Sequence, residues 1–445
     1  MTLPRVTDLR RRARRQRRWG FASVIRDQHR MWWLVVLVGL GSGLVGAGYV
    51  ELLKLLTSVL GPTGFGRPEH LLILTAVGLT IGVLTLTLGN PGDVELLVDN
   101  IHVTGGRSDV RELRSLIPVS LLGIAAGSAI GPEAPLVQTT GAIGTWLARH
   151  RRLDVSDTRV LTITGMAAGF TVLFGAPFGS AIFALEILHR RGLQYYEALL
   201  PAAIGSLSGY VVYAGVTGFG FHPIWTFPEP HGLRPVDFAV GLGAGVVGAV
   251  IAIAFTWCSK VLRRAFRRLP AVVRPVVGGA ALGGLAFLSP YALTFGEGQV
   301  QTVATAKLAV ATLLVAVFAK LVASSMIVSS GWRGGFIIPL FFVGVALGSI
   351  AHELLGVDRL VAMAAAMVAV NVGVTKTPFG SSVVVAEMAG VRLLPPVLLA
   401  SIVALFLTNR TSMIDTQRER EEVSASDPSG HRPFGSLPEA EGGPD

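Results

Sequence analysis

The sequence predicts an all-helical integral membrane protein built from two related halves, and three observations carry that prediction. Only 15% of the 445 residues are charged while 51% are hydrophobic, against roughly 25% charged in soluble domains. Long stretches contain no charged residue. Two short segments recur at a nearly constant offset.

The mean hydropathy of +0.59 and the 54 glycines fit lipid as the solvent, because glycine lets membrane helices pack closely. Residues 31–50 and 71–89 are free of charge, and 116–130, 238–257, 308–319 and 394–407 are further apolar runs. Polar faces at helical period, which an aqueous fold needs, are missing from them. A spanning helix takes about 20 apolar residues. The shorter runs therefore predict half-crossing helices, or helices sheltered by protein.

The formal charge of +10 is unevenly placed. Arg10, Arg11, Arg12, Arg14, Arg15, Arg17 and Arg18 precede the first apolar run. The positive-inside rule then sets residues 1–30 as a cytoplasmic arm of a multi-pass cell-membrane protein, compatible with contact to anionic lipid. No aromatic residues interleave the arginines, so nucleic acid is not an expected partner. The first run is too long, and lacks a small-residue cleavage site, for a removed signal peptide. The single cysteine, Cys258, excludes a disulfide within the chain and a thiolate metal site. Residues 31–409 read as one membrane domain. Residues 410–445 read as a polar tail, disordered for want of apolar surface.

The repeat organises the domain. Pro177-Phe178-Gly179-Ser180-Ala181-Ile182-Phe183-Ala184-Leu185-Glu186 matches Pro378-Phe379-Gly380-Ser381-Ser382-Val383-Val384-Val385-Ala386-Glu387 at five identical positions, offset 378 − 177 = 201. Gly131-Pro132-Glu133-Ala134-Pro135-Leu136 matches Gly335-Phe336-Ile337-Ile338-Pro339-Leu340, offset 339 − 135 = 204. The halves are about 31–216 and 235–409. Transporters built from repeats bind substrate between them. The residues alone leave open whether these halves are inverted or parallel.

Each half carries a Gly-x-x-x-Pro turn opening an apolar helix. Proline is tolerated in a first helical turn, where its missing N–H costs little. Such helices begin with free N–H groups and a positive dipole end. Two of them aimed at one point make an anion site without a full positive charge, so that an anion can both enter and leave. Glu133 lies in the first turn. A carboxylate in lipid costs about 2.5–3.5 kcal/mol, while a helix N-terminus returns about 0.3–2 kcal/mol to its charged form. A near balance lets the side chain switch, occupying the anion position when charged and vacating it when protonated. A structural carboxylate capping local N–H groups fits the position equally.

Gly131-Pro132-Glu133-Ala134-Pro135-Leu136-Val137-Gln138, with Gly141-Ala142-Ile143-Gly144, resembles the signature Gly-Arg-Glu-Gly-Pro-x-Val-Gln of the CLC family of chloride channels and proton/chloride exchangers. Thr164 to Phe170, Phe174 to Phe178, Gly334 to Pro339 and Pro378 to Met388 resemble its later segments in the expected order. The resemblance implies a homodimer with one pore per subunit, each made of two inverted halves of tilted and partly re-entrant helices. It implies Glu133 as the external gate. It assigns anion contact to Gly131, Pro132, Ala134, Gly335, Phe336 and Ile337, to Asn90 in the first loop, and to Met413 at the family's pore tyrosine. The expected cargo is chloride, with protons as the possible counter-ion and no cofactor.

The departures matter too. The family loop Gly-Ser-Gly-Ile-Pro becomes Gly89-Asn90-Pro91-Gly92-Asp93, and Pro132, Ala134, Ile337 and Met413 replace the usual residues. Fewer side-chain donors remain, which brings fluoride and nitrate into range as alternative cargo. Exchangers commonly carry a second glutamate immediately after the position of Glu186; Ile187 stands there. Glu186 and His189 are the candidate replacements for a proton relay. His189, within His189-Arg190-Arg191, is expected at a helix end on the membrane surface. Proton/chloride exchange is the leading expectation, a passive channel the alternative.

Two enzyme-like signals fall away. Gly41-Ser42-Gly43-Leu44-Val45-Gly46 matches a dinucleotide fingerprint but lies inside an apolar span without the β-α-β unit it requires. His352-Glu353 starts a zinc-protease motif that Gly356 breaks. The chain is not expected to be an enzyme.

Overall fold

The computed structural model describes residues 6–62, 67–92, 98, 101–102, 110–190, 193–218, 220–227 and 232–417, with backbone alone for 6–29, 67 and 110–111. In chain order the helices are α1 (Val6–Leu60), α2 (Arg67–Leu88), α3 (Val110–Ala125), α4 (Glu133–Arg151), α5 (Val155–Phe174), α6 (Pro177–Glu186) and α7 (Leu199–Thr217). The second half adds α8 (Pro235–Phe266), α9 (Val273–Leu285), α10 (Glu297–Thr305), α11 (Val310–Ser329), α12 (Ile337–Leu355), α13 (Arg359–Thr375), α14 (Pro378–Ala389) and α15 (Leu394–Leu407). No strand occurs among the described residues.

Six of these helices are long and apolar enough to cross a membrane, including Arg30–Leu60, Pro68–Leu88 and Pro235–Phe266. Their outer faces present large apolar side chains such as Trp33, Leu72, Trp257 and Phe318. Lipid is the solvent those faces suit. The shorter helices α6, α14 and α15 fit the prediction of half-crossing elements.

Small residues bring the long helices into contact. A side chain at Gly43 in α1 would strike the backbone of Gly209 in α7, and one at Gly46 would strike Val172 in α5. The glycine-rich motif in the first span is thus a packing surface. The α4–α5 and α12–α13 pairs pack side by side, as equivalent pairs of a repeat do.

The repeated Pro-Phe-Gly-Ser segments face each other. Glu186 at the end of α6 accepts from the Phe379 amide at 3.2 Å and the Gly380 amide at 2.6 Å. Glu387 at the end of α14 accepts from the Phe178 and Gly179 amides at 3.1 and 3.2 Å. Each glutamate satisfies the open N-terminus of the other helix. Such an exchange requires the two helices to run antiparallel, as inverted halves dictate.

The boundary of the folded body differs from the sequence expectation. Chain past 409 does not become a free tail at once: Met413 and Ile414 are 3% and 1% exposed, and Gln417 donates to the Ile187 and Thr375 carbonyls at 2.9 Å each. The apolar pair and this amide fork tie 411–417 to the membrane body. The rest of the tail lies outside the described residues. The last helix of the first half ends at Thr217 and the first of the second half begins at Pro235.

A lysine is also fully buried in the second half. Lys320 of α11 donates to the Leu293 and Thr294 carbonyls at 3.0 and 2.7 Å, with its ammonium 5.1 Å from the centre of the Phe342 ring. Its donors thereby satisfy carbonyls of the turn before α10 that no helix ladder serves.

Candidate anion passage

The two Gly-x-x-x-Pro turns meet. Gly131 and Gly335 form an isolated antiparallel bridge, each amide donating to the other's carbonyl at 2.8 and 2.7 Å. Immediately after them α4 begins at Glu133 and α12 at Ile337, with Pro135 and Pro339 in the first turns. Pro132 and Phe336 are the capping positions, and neither gives a side-chain cap. The loops are braced from behind: Ser324 donates to the Ala129 carbonyl at 2.8 Å, and Trp332 to that of Pro275 at 2.9 Å.

Glu133 is 1% exposed. Its Oε1 accepts from the Ile338 amide at 2.6 Å, a short bond of the charge-assisted kind. Its other oxygen is buried without a hydrogen-bond partner among the described residues. The acid of the first half therefore sits on the amide end of the second half's helix, where an anion would be stabilised. Space there is tight: a side chain at Gly131 would strike the carboxylate, and one at Gly335 would lie 2.7 Å from the Glu133 Cβ.

Beside the carboxylate is a chamber of about 20 Å³, lined by Glu133, Ala134, Gly335, Phe336, Ile337 and Ile187 together with Val98, Val137, Met166 and Phe170. It admits one small ion or water, which needs at least about 10–15 Å³. Apart from Glu133 the walls are apolar side chains and backbone. Ala134 and Phe336 also border a second cavity of about 280 Å³, so they form the partition between the two. Gly92, Arg263, Arg267, Arg274, Arg333 and Met413 line this vestibule. It opens at the end of α2 opposite to Pro62 and His70, which border a pocket with Glu297.

A model of the voltage-gated chloride channel family matches residues 90–409. The chain belongs to the CLC family. CLC proteins are channels or transporters rather than enzymes, and this one is an anion-transporting member. It is 26% identical over 367 residues to the chloride/fluoride channel protein of Pseudomonas syringae pv. tomato, covering 79% of each chain. A CLC-type fluoride/proton antiporter superposes with a TM-score of 0.76 at 23% identity, over 88% of this chain and 98% of that one. A slow cyanobacterial Cl⁻/H⁺ antiporter superposes equally well at 18% identity, over 89% and 98%. These two likenesses show the CLC fold.

Several residues singled out in the CLC sequence stand apart from the chamber. Asn90 is exposed, and its Oδ1 accepts from Arg333 at 3.1 Å at the vestibule rim. Asp93 of the same loop lies outside the described residues. Met413 borders the vestibule, not the chamber. Gly131 and Pro132 shape the turn without lining either cavity. Both oxygens of Glu186 are engaged as the helix cap described above.

His189 is buried, not on the surface. It is 0% exposed, with Nδ1 donating to the Leu185 carbonyl at 3.0 Å. Its ring stands 5.2 Å from that of His102 and 4.9 Å from that of Tyr195. His102 Nε2 donates to the Leu188 carbonyl at 2.7 Å, and its Nδ1 lies 3.3 Å from the Tyr195 hydroxyl. Arg159 stacks over Tyr195 at 4.7 Å. Sequence reading missed His102, Tyr195 and Arg159 because nothing in their spacing joins them. The available signal was the presence of ionisable residues within an otherwise apolar domain.

Proposed function

We propose that this CLC protein moves a small monovalent anion through the chamber and exchanges it for protons, with Glu133 as the moving part. The carrying observation is the Glu133 carboxylate bonded to the Ile338 amide at 2.6 Å. A charged Glu133 substitutes for the anion on the amide end of α12. A protonated one loses the charge-assisted part of that bond, roughly half its strength, and cedes the position to an incoming anion. Competition between one carboxylate and one anion for a single site couples proton binding at Glu133 to anion entry, and proton loss to anion release. Gly131 and Gly335 leave room for that exchange, and Ala134 and Phe336 set the partition to be crossed.

Chloride is the first-choice cargo. Fluoride is the second reading, favoured by the small size of the chamber and by its walls, where no side-chain hydroxyl takes part. The arginine-rich arm and the positive-inside rule set the vestibule face toward the cytoplasm of a cell membrane. A homodimer, as the family resemblance implies, completes the reading. Purified protein in liposomes, loaded with chloride, fluoride or nitrate and monitored with a pH dye, tests it. Uphill proton movement driven by an anion gradient is the expected result. Anion flux without proton movement refutes the exchange.

A further inference from the structure

The vestibule carries more positive charge than passage of a monovalent ion requires. Arg263 and Arg267 lie four residues apart near the end of α8, on one helical face. Arg274 enters from α9 and Arg333 from the loop before α12, and all four border one cavity of about 280 Å³. No carboxylate is among its described lining residues. Of the acids next to lining residues, Asp415 beside Ile414 pairs with Lys260 at 3.9 Å, Glu133 beside Ala134 lines the chamber instead, and Asp93 beside Gly92 lies outside the described residues. Arg264 and Arg268, which serve topology equally well, do not line the cavity.

Two of the guanidinium groups are held in place. Arg274 donates through Nε to the Leu269 carbonyl at 2.9 Å and through Nη2 to that of Arg267 at 3.2 Å. Arg333 Nη2 donates to Asn90 at 3.1 Å. Fixed forks of this kind suit planar or tetrahedral oxyanions, and pre-orientation lowers the entropy lost on binding.

Scale separates this cavity from the chamber. The chamber holds about 20 Å³ and offers amide dipoles, suited to an ion that must leave. The vestibule is more than ten times larger and offers full charges, suited to an ion that stays. A polyvalent anion that fits the vestibule is too large for the chamber, and dehydration bars it from the apolar walls.

We propose that the vestibule is a binding site for a water-borne polyvalent oxyanion of the phosphate class, which plugs the passage at Ala134 and Phe336. The plugging half rests on the transport reading above; the binding half does not. The test uses the full chain, delipidated in detergent, titrated with sodium pyrophosphate in a calorimeter against chloride of matched ionic strength. Saturable binding is expected, weakened about tenfold or more by Arg267→Gln, since loss of one charge-assisted contact has that scale. Arg267 is solvent-exposed, so this variant keeps its fold; Arg274→Gln is the second variant, checked by gel filtration. Absence of saturable binding, or binding unchanged in both variants, overturns the site. In vesicles of sided orientation, pyrophosphate is expected to slow anion flux only from the face of the arginine arm. Equal inhibition from both faces, or none, overturns the plug. Binding that survives while the protein carries no anion at all would refute the transport reading and leave the site standing.

Discussion

The Glu133 carboxylate and the Ile338 amide, 205 residues apart in the chain, are joined by a 2.6 Å hydrogen bond across the pseudo-symmetric centre of the molecule. The bond places the acidic group of one repeat on the helix dipole of the other. In the proposed transport cycle an anion and Glu133 compete for these N–H groups.

Crowding around this bond makes a first prediction. An alanine methyl at position 335 would lie 2.7 Å from the Glu133 Cβ and 2.9 Å from its Cδ, below any comfortable separation. Gly335→Ala is expected to push the Glu133 side chain out of its seat. Anion flux should then respond less to pH, and the melting temperature in detergent should fall. Adding Glu133→Gly, which removes the Cβ as well as the carboxylate, should recover part of the melting temperature, because the two changes share one clash. A double variant that melts no higher than the single one refutes the packing argument.

The crossed caps make a second. Glu186→Gln and Glu387→Gln each replace charge-assisted bonds to two amides by weaker ones, and each should cost about 1–3 kcal/mol in thermal unfolding. Proton and anion flux per folded molecule should change less than twofold in Glu186→Gln. Loss of proton flux with an unchanged melting temperature would instead assign Glu186 to the proton path.

These caps and the Gly131–Gly335 bridge show what the sequence made legible. The offsets of 201 and 204 paired the segments that make these contacts, and the structure shows why they meet: residues repeated across inverted halves come together at the symmetry axis. The apolar runs gave the long helices, since lipid forbids unpaired backbone. The vestibule was not legible: Arg263, Arg267, Arg274 and Arg333 come from three elements, and only packing gathers them. His189 was misplaced for a related reason. Arg190 beside it is exposed, and a charged run suggested a surface, whereas the turn after α6 sends the imidazole inward against His102 and Tyr195. Asn90 was aligned to a family position by sequence order, whereas it sits at the vestibule rim beside Arg333.

Lys320 supplies a third prediction. Its Nζ donates to the carbonyls of Leu293 and Thr294, of which Leu293 also accepts from Gln299 Nε2 at 3.0 Å. Lys320→Met keeps the length and leaves both carbonyls without that donor. A loss of about 2 kcal/mol or more in stability is expected, read as a lower denaturant midpoint in detergent. An unchanged midpoint would mean that water already serves those carbonyls.

The partition gives a fourth. Phe336 separates vestibule from chamber, so Phe336→Ala should merge them. Turnover is expected to rise, and protons moved per anion to fall, as the anion slips past without waiting for Glu133. Both are read in one liposome assay with an anion electrode and a pH dye. Turnover and coupling equal to wild type would remove Phe336 from the pathway.

The central claim is that Glu133 charges and discharges while exchanging places with the anion. In the wild-type protein the charged carboxylate is the competitor, so anion flux should rise as pH falls and protonation removes it. Glu133→Gln carries the neutral form permanently. Flux through that variant, measured across the same pH range in liposomes, should be flat, high, and free of proton movement. A Glu133→Gln protein that keeps the wild-type pH response and still pumps protons would contradict the account.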